Sequence, residues 1–77
     1  MGSRFPAVTA KQVIRVLNQL GFRLTRQAGT SHAVYRRDSD NRRTIVPIHP
    51  GQILKRKTLK AVLHDIALSI EEFRKYL

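Results

Sequence analysis

The sequence predicts one small α+β domain, ordered as a helix, three antiparallel strands and two closing helices. Three observations carry that expectation. Residues 9–20 and about 58–67 place apolar side chains at helical spacing. The stretch between them, 22–48, holds short alternating runs rich in β-formers, divided by polar turns. A length of 77 residues accommodates a single core and a single domain, 1–77, of which 1–7 are expected to be flexible or in part a tag remnant.

In the first helix, Val13, Val16, Leu17 and Leu20 stand at i, i+3, i+4 and i+7, while Lys11, Arg15 and Asn18 fall opposite. Thr9 is positioned as its N-cap. Gly21 is positioned to stop it, because glycine enters the left-handed region without a side-chain penalty. The first strand, Phe22 to Gln27, is expected to set Phe22 and Leu24 on one side and Arg23, Thr25 and Gln27 on the other. Ala28-Gly29-Thr30 is a turn, Ser31 to Arg37 a second strand, Asp38-Ser39-Asp40-Asn41 a polar turn, and Arg42 to Ile48 a third strand. Pro47 lacks an amide donor and belongs near a strand end or on an edge. Short turns imply an antiparallel meander.

His49-Pro50-Gly51 breaks the chain into a loop. A second helix is expected from about Thr58 to Ala67, with Leu59, Val62, Leu63 and Ile66 as its apolar stripe. Ser69-Ile70-Glu71-Glu72 has the S-x-x-E pattern of a capping box and opens a last short helix in which Phe73 and Leu77 are free to pack. A three-stranded sheet must cover one apolar face, and two amphipathic helices suffice to do so, leaving the other face open. This α-β-β-β-α-α order is similar to that of the double-stranded-RNA-binding domain.

Charge narrows the function. Fifteen Lys and Arg against five Asp and Glu give +10. Hydrophobic residues make up 42% of the chain, the share of a folded domain, so the charge is not that of a disordered tail. A compact basic module calls for a polyanion, nucleic acid above all. Residues 1–60 hold 13 basic and 2 acidic residues, a balance of +11, against −1 for residues 61–77. The polyanion is therefore expected at the strands, the first helix and the start of the second. The absence of cysteine excludes disulfides and thiolate metal sites and suits a reducing cytoplasm. No apolar run reaches the roughly 18–20 residues of a membrane span, and no signal-peptide pattern opens the chain. Five acids are few for a metal-dependent nuclease; Asp38 and Asp40 read as turn residues, and neither metal nor cofactor is expected.

RNA cleavage needs no metal, since the 2′-hydroxyl can attack its own phosphodiester when one group takes its proton and another protonates the leaving oxygen. Imidazole suits both roles, with an unperturbed pKa near about 6.5. There are three histidines. His32 follows Gly29-Thr30-Ser31, a turn whose amides and hydroxyls suit a phosphate; on residue physics alone it reads first as a surface strand residue. His49 reads first as a loop residue hydrogen-bonded to fix its turn. His64 reads as a solvated residue on the polar face of the second helix.

The ordered set Gly29-Thr30-Ser31-His32 with Ala33-Val34-Tyr35, then Thr44-Ile45-Val46-Pro47-Ile48-His49, then Lys55 to Leu59 and Leu68-Ser69-Ile70-Glu71-Glu72-Phe73, resembles the HicA toxin family, as does a first helix ending in Leu20-Gly21-Phe22. The likeness covers roughly residues 8–77. It implies a double-stranded-RNA-binding-like fold, ribosome-independent mRNA interferase activity and neutralisation by a HicB antitoxin. It also implies that the family's key histidine is His32. Lys55-Arg56-Lys57 stands where members often have glycine or proline before the second helix, a departure that shifts the helix start and adds charge. Arg23, Arg26, Arg36 and Lys57 are the candidate phosphate contacts beside Gly29, Thr30 and Ser31. One histidine cannot act as base and acid at once, so on this reading water or a Lys/Arg-assisted route serves the second role and turnover is slow. Two other readings remain open. One is a module of the same fold that binds RNA by shape without cutting it. The other is a module whose basic face meets an acidic protein.

Overall fold

A computed structural model describes residues 5–29 and 31–77. The order is α1 (Ala10–Gln19), β1 (Arg23–Ala28), β2 (His32–Arg37), β3 (Arg42–Pro47), α2 (Arg56–Asp65) and α3 (Ile70–Lys75). The strands form an antiparallel sheet in the order β1-β2-β3. The α+β plan with an open sheet is the one the sequence predicts.

The cap residues act as the sequence anticipates. The Thr9 hydroxyl accepts from the Gln12 amide, and the Thr9 amide donates to the Gln12 side chain, so α1 opens with a full capping box. Gly21 follows α1 at φ +91°, the region glycine enters freely. At α3, Ser69 Oγ accepts from the Glu72 amide at 3.1 Å, and the Ser69 amide donates to Glu72 Oε1 at 3.0 Å. These bonds from Ser69 hold the Glu72 carboxyl below the usual range.

The helices cover one sheet face. Ala33, Tyr35, Thr44 and Val46 point inward against Val13, Val16 and Leu17 of α1 and Leu59, Val62 and Leu63 of α2. Phe73 inserts the short α3 into the same core and is fully buried. Thr44 is buried too, and its hydroxyl donates to Asp65 Oδ2 at 2.9 Å, tying β3 to the end of α2. Burial also pushes the Tyr35 phenol up from its usual value. Arg37 joins three parts of the molecule: it stacks 4.6 Å from the Phe22 ring centroid, donates to the Leu20 carbonyl at 2.9 Å and pairs with Asp40 at 2.8 Å. That hydrogen bond holds the Asp40 carboxyl below its ordinary value and raises Arg37.

Two expectations need correction. In β1 the register shifts between Leu24 and Arg26, leaving Thr25 as the extra residue, with its hydroxyl donating to the Val34 carbonyl at 3.1 Å. The bulge breaks the simple alternation. Arg23 and Arg26 come to the open face, Gln27 pairs with inward-facing Ala33, and Leu24 lies 49% exposed at the uncovered edge. The second helix starts at Arg56, two residues before Thr58, because Lys55-Arg56-Lys57 contains no breaker and its side chains favour helix. It ends at Asp65 because Ala67 takes φ +56°, with the Leu68 amide returning to the Leu63 carbonyl.

Replacing Phe73 by alanine is expected to cost about 3–5 kcal/mol. A domain of this length holds roughly 0.05–0.15 kcal/mol per residue in all. Urea titration followed by circular dichroism should therefore show Phe73→Ala losing most of the transition. The Asp40 clasp makes a second, pH-dependent prediction. A carboxyl depressed in the folded state stabilises above its unfolded pKa, about 3.9, and loses that contribution as pH falls through the lower folded value. The gap in urea midpoint between the wild type and Asp40→Asn should be full near pH 6 and shrink as the pH falls below the unfolded-state value of about 3.9.

Candidate nucleic-acid interface and catalytic cleft

The open sheet face is built from rows set by strand register. Arg23 pairs with Arg36, and Arg36 pairs with Arg43, so one arginine from each strand forms the first row. The next row is Arg26, Val34 and Ile45. The last is His32 and Pro47. Like charges directly opposite one another are destabilising in a sheet. Here Asp38 meets Arg23 at 3.1 Å and Arg36 donates to the Asn41 side chain, while Arg26 has no partner among the described residues. Ile45, at 44% exposure, gives the middle row an apolar floor. Arginines around an apolar centre suit a phosphate backbone whose bases or sugars lie on that floor.

His32 begins β2 and is exposed. The Ile48 amide donates to the Ser31 carbonyl, so β3 stays joined to the start of β2 one step beyond the last strand pair. His49 comes next. Its carbonyl accepts from the Gln52 amide at 3.0 Å across a turn with Pro50 and Gly51 in the centre. Gly51 has φ +76°, which the second central residue of a type II turn requires. The chain then passes beside the N-terminal segment, bridging Ile53 to Thr9, with the Leu54 amide donating to the Val8 carbonyl at 2.7 Å. Lys55 follows as the N-cap of α2 and makes no side-chain capping bond.

These turns enclose a cleft of about 320 Å³ lined by His32, Pro47, His49, Gln52, Ile53, Leu54, Lys55 and Thr58. Its size is at the low end for ligand sites, about 300–1,000 Å³, which suits one small polar moiety better than a large cofactor. Two imidazoles and one ammonium share it. None of the three has a hydrogen-bond or ion-pair partner among the described residues.

The structure thus groups the sequence candidates unequally. Arg23, Arg26 and Arg36 share the open face, and His32 lies at one end of it. Gly29 and Ser31 belong to the turn before His32, while Thr30 falls outside the described residues. Lys57 is exposed on the first turn of α2; Lys55, not Lys57, lines the cleft. His64 is exposed on α2, away from the cleft lining. His49 does hold its turn, but through its backbone carbonyl; the residue lines this cleft and also a neighbouring hollow formed with Thr9, Lys11 and Ile14 of the α1 side. Sequence reasoning also passed over Gln52, Lys55 and Thr58 as site residues. Lys55 and Thr58 fall in a stretch of family likeness, but their meeting with His32 is not legible locally, since it comes only through the β2–β3 pairing. Asp38 and Asp40 are engaged by Arg23, Arg37 and Arg42, and no group of three or more metal-ligating side chains occurs among the described residues. No helix among those residues is long and apolar enough to cross a membrane.

No curated protein matches the chain. The family model described as the HicA toxin of bacterial toxin–antitoxin systems matches residues 10–68, which spans α1, the whole sheet, the cleft and α2. With that match over most of its length, the chain belongs to the HicA toxin family and is the toxin of a toxin–antitoxin pair.

Proposed function

We propose that this toxin is a metal-independent endoribonuclease, an mRNA interferase acting in the cytoplasm, with His32 as a catalytic group. The observation that carries the reading is the position of His32: it stands where an arginine-bearing open sheet face meets a cleft holding a lysine. RNA lies along Arg23, Arg26 and Arg36, with Gly29, Thr30 and Ser31 beside the reacting phosphate and Lys57 flanking it. Lys55 stabilises the charge that develops on the phosphorus oxygens. His32 either takes the 2′-hydroxyl proton or supplies the proton of the leaving 5′-oxygen. A HicB-like antitoxin silences the toxin by covering this face, and acidic groups on it would match the uncompensated Arg26 and Lys55.

The test separates cutting from holding. Purified His32→Ala is expected to cleave RNA about 10²–10⁴-fold more slowly than the wild type and to permit growth when expressed, with RNA binding unchanged. A variant that still cleaves and still stops growth refutes the role of His32. A wild type that binds RNA and never cleaves it leaves a pure binding module of the same fold. Binding also has a measurable electrostatic signature. Each phosphate contact to single-stranded RNA contributes about −0.7 to the slope of log K against log salt, so Arg26→Ala should flatten that slope by about 0.7 in fluorescence anisotropy titrations.

A further inference from the structure

We infer that His49 is the second proton-transfer group of the cleft, forming an acid–base pair with His32. The inference rests on the ribonuclease reading above and deepens it. A single histidine leaves one of two required proton transfers unassigned; the structure places a second imidazole in the same cleft.

The placement is built by the backbone. His32 is the cross-strand partner of Pro47, and His49 lies two residues beyond Pro47. A diagonal neighbour of this kind sits about 7–8 Å away from backbone to backbone, within reach of aromatic side chains. The Ile48 amide, bonded to the Ser31 carbonyl, holds the residue just before His49. The turn closed by the His49 carbonyl and the Gln52 amide, and the Leu54 amide bonded to Val8, hold the chain after it. A histidine kept only to fix this turn would spend its ring on a hydrogen bond. The turn here is closed by main-chain atoms, and the His49 ring has no protein partner among the described residues.

The reaction balances with these two groups alone. One imidazole, neutral, takes the proton of the 2′-hydroxyl as its oxygen bonds to phosphorus. The other, protonated, gives its proton to the 5′-oxygen as the phosphorus–oxygen bond to it breaks. The products are a 2′,3′-cyclic phosphate and a 5′-hydroxyl, with each imidazole left in the other's starting protonation state. Water restores both when the products leave, and no oxidant, reductant or metal is consumed.

The test uses the purified toxin and an RNA carrying one cleavage site mapped with the wild type. A second RNA replaces the scissile 5′-oxygen by sulfur, a leaving group that departs without a proton. His49→Ala and His49→Gln are both measured, with circular dichroism and RNA binding as controls, so that loss of folding in one variant does not decide the matter. On ordinary RNA, both are expected to slow single-turnover cleavage by about 10²–10⁴-fold with binding unchanged. The bell-shaped pH–rate profile of the wild type should lose one limb. On the sulfur-substituted RNA, the variant lacking the acid should return to within about tenfold of the wild type, so that one of His32→Ala and His49→Ala is rescued and the other is not. A folded His49 variant cleaving ordinary RNA within about threefold of the wild type overturns the inference, as does rescue of neither variant or of both. If His32→Ala is dead while His49→Ala is active, the ribonuclease reading stands and only the pairing falls. If the wild type cuts no RNA, the ribonuclease reading itself falls.

Discussion

Six residue pairs join β2 to β3, from His32 with Pro47 at one end to Arg37 with Arg42 at the other, and both the core and the proposed site hang on that register. It sets Ala33, Tyr35, Thr44 and Val46 inward and Val34, Arg36, Arg43 and Ile45 outward. A slip of one residue would exchange the two faces, exposing apolar side chains and driving arginines into the core. Burial of the inward set therefore enforces the outward arrangement. The arginine row and the cleft histidines are positioned by the same apolar contacts that stabilise the domain.

This coupling explains how so short a chain can carry a site. The cleft spends little of the core, because its walls are the end of the sheet, one type II turn and the start of α2. Fixed points at Ile48, Gln52 and Leu54 are all main-chain hydrogen bonds, leaving the side chains between them available for a ligand. The positive field is tolerated on the same grounds. Asp38 and Asp40 pair with Arg23, Arg37 and Arg42, while Arg26, Arg36 and Arg43 on the open face and Lys55 at the cleft have no carboxylate partner among the described residues, and a polyanion there relieves their repulsion.

Most of the architecture was legible from local chemistry. Thr9, Gly21 and Ser69 announce helix ends through backbone groups one turn away, and the stripes of α1 and α2 declare their buried faces. The discrepancies have non-local causes. Leu24 reads as sharing one side of the strand with Phe22 until the bulge at Thr25 and the limit of helix cover are known; Phe22 is buried and Leu24 exposed. The cleft was half legible. His32 is marked by its turn and by family resemblance. His49, 17 positions later, joins it through strand pairing and a turn, and spacing alone cannot announce that. The row of Arg23, Arg36 and Arg43 is hidden for the same reason: these residues become neighbours only once the register is set.

In the proposed mechanism, side chains of the protein drive attack by the neighbouring 2′-hydroxyl without a metal. The most direct measurement is the chemistry of the RNA ends left by the wild-type toxin in excess chelator. Undiminished cleavage is expected, with a 2′,3′-cyclic phosphate on one fragment and a 5′-hydroxyl on the other. Fragments ending in a 3′-hydroxyl and a 5′-phosphate, or cleavage that begins only when a divalent cation is restored, would contradict it.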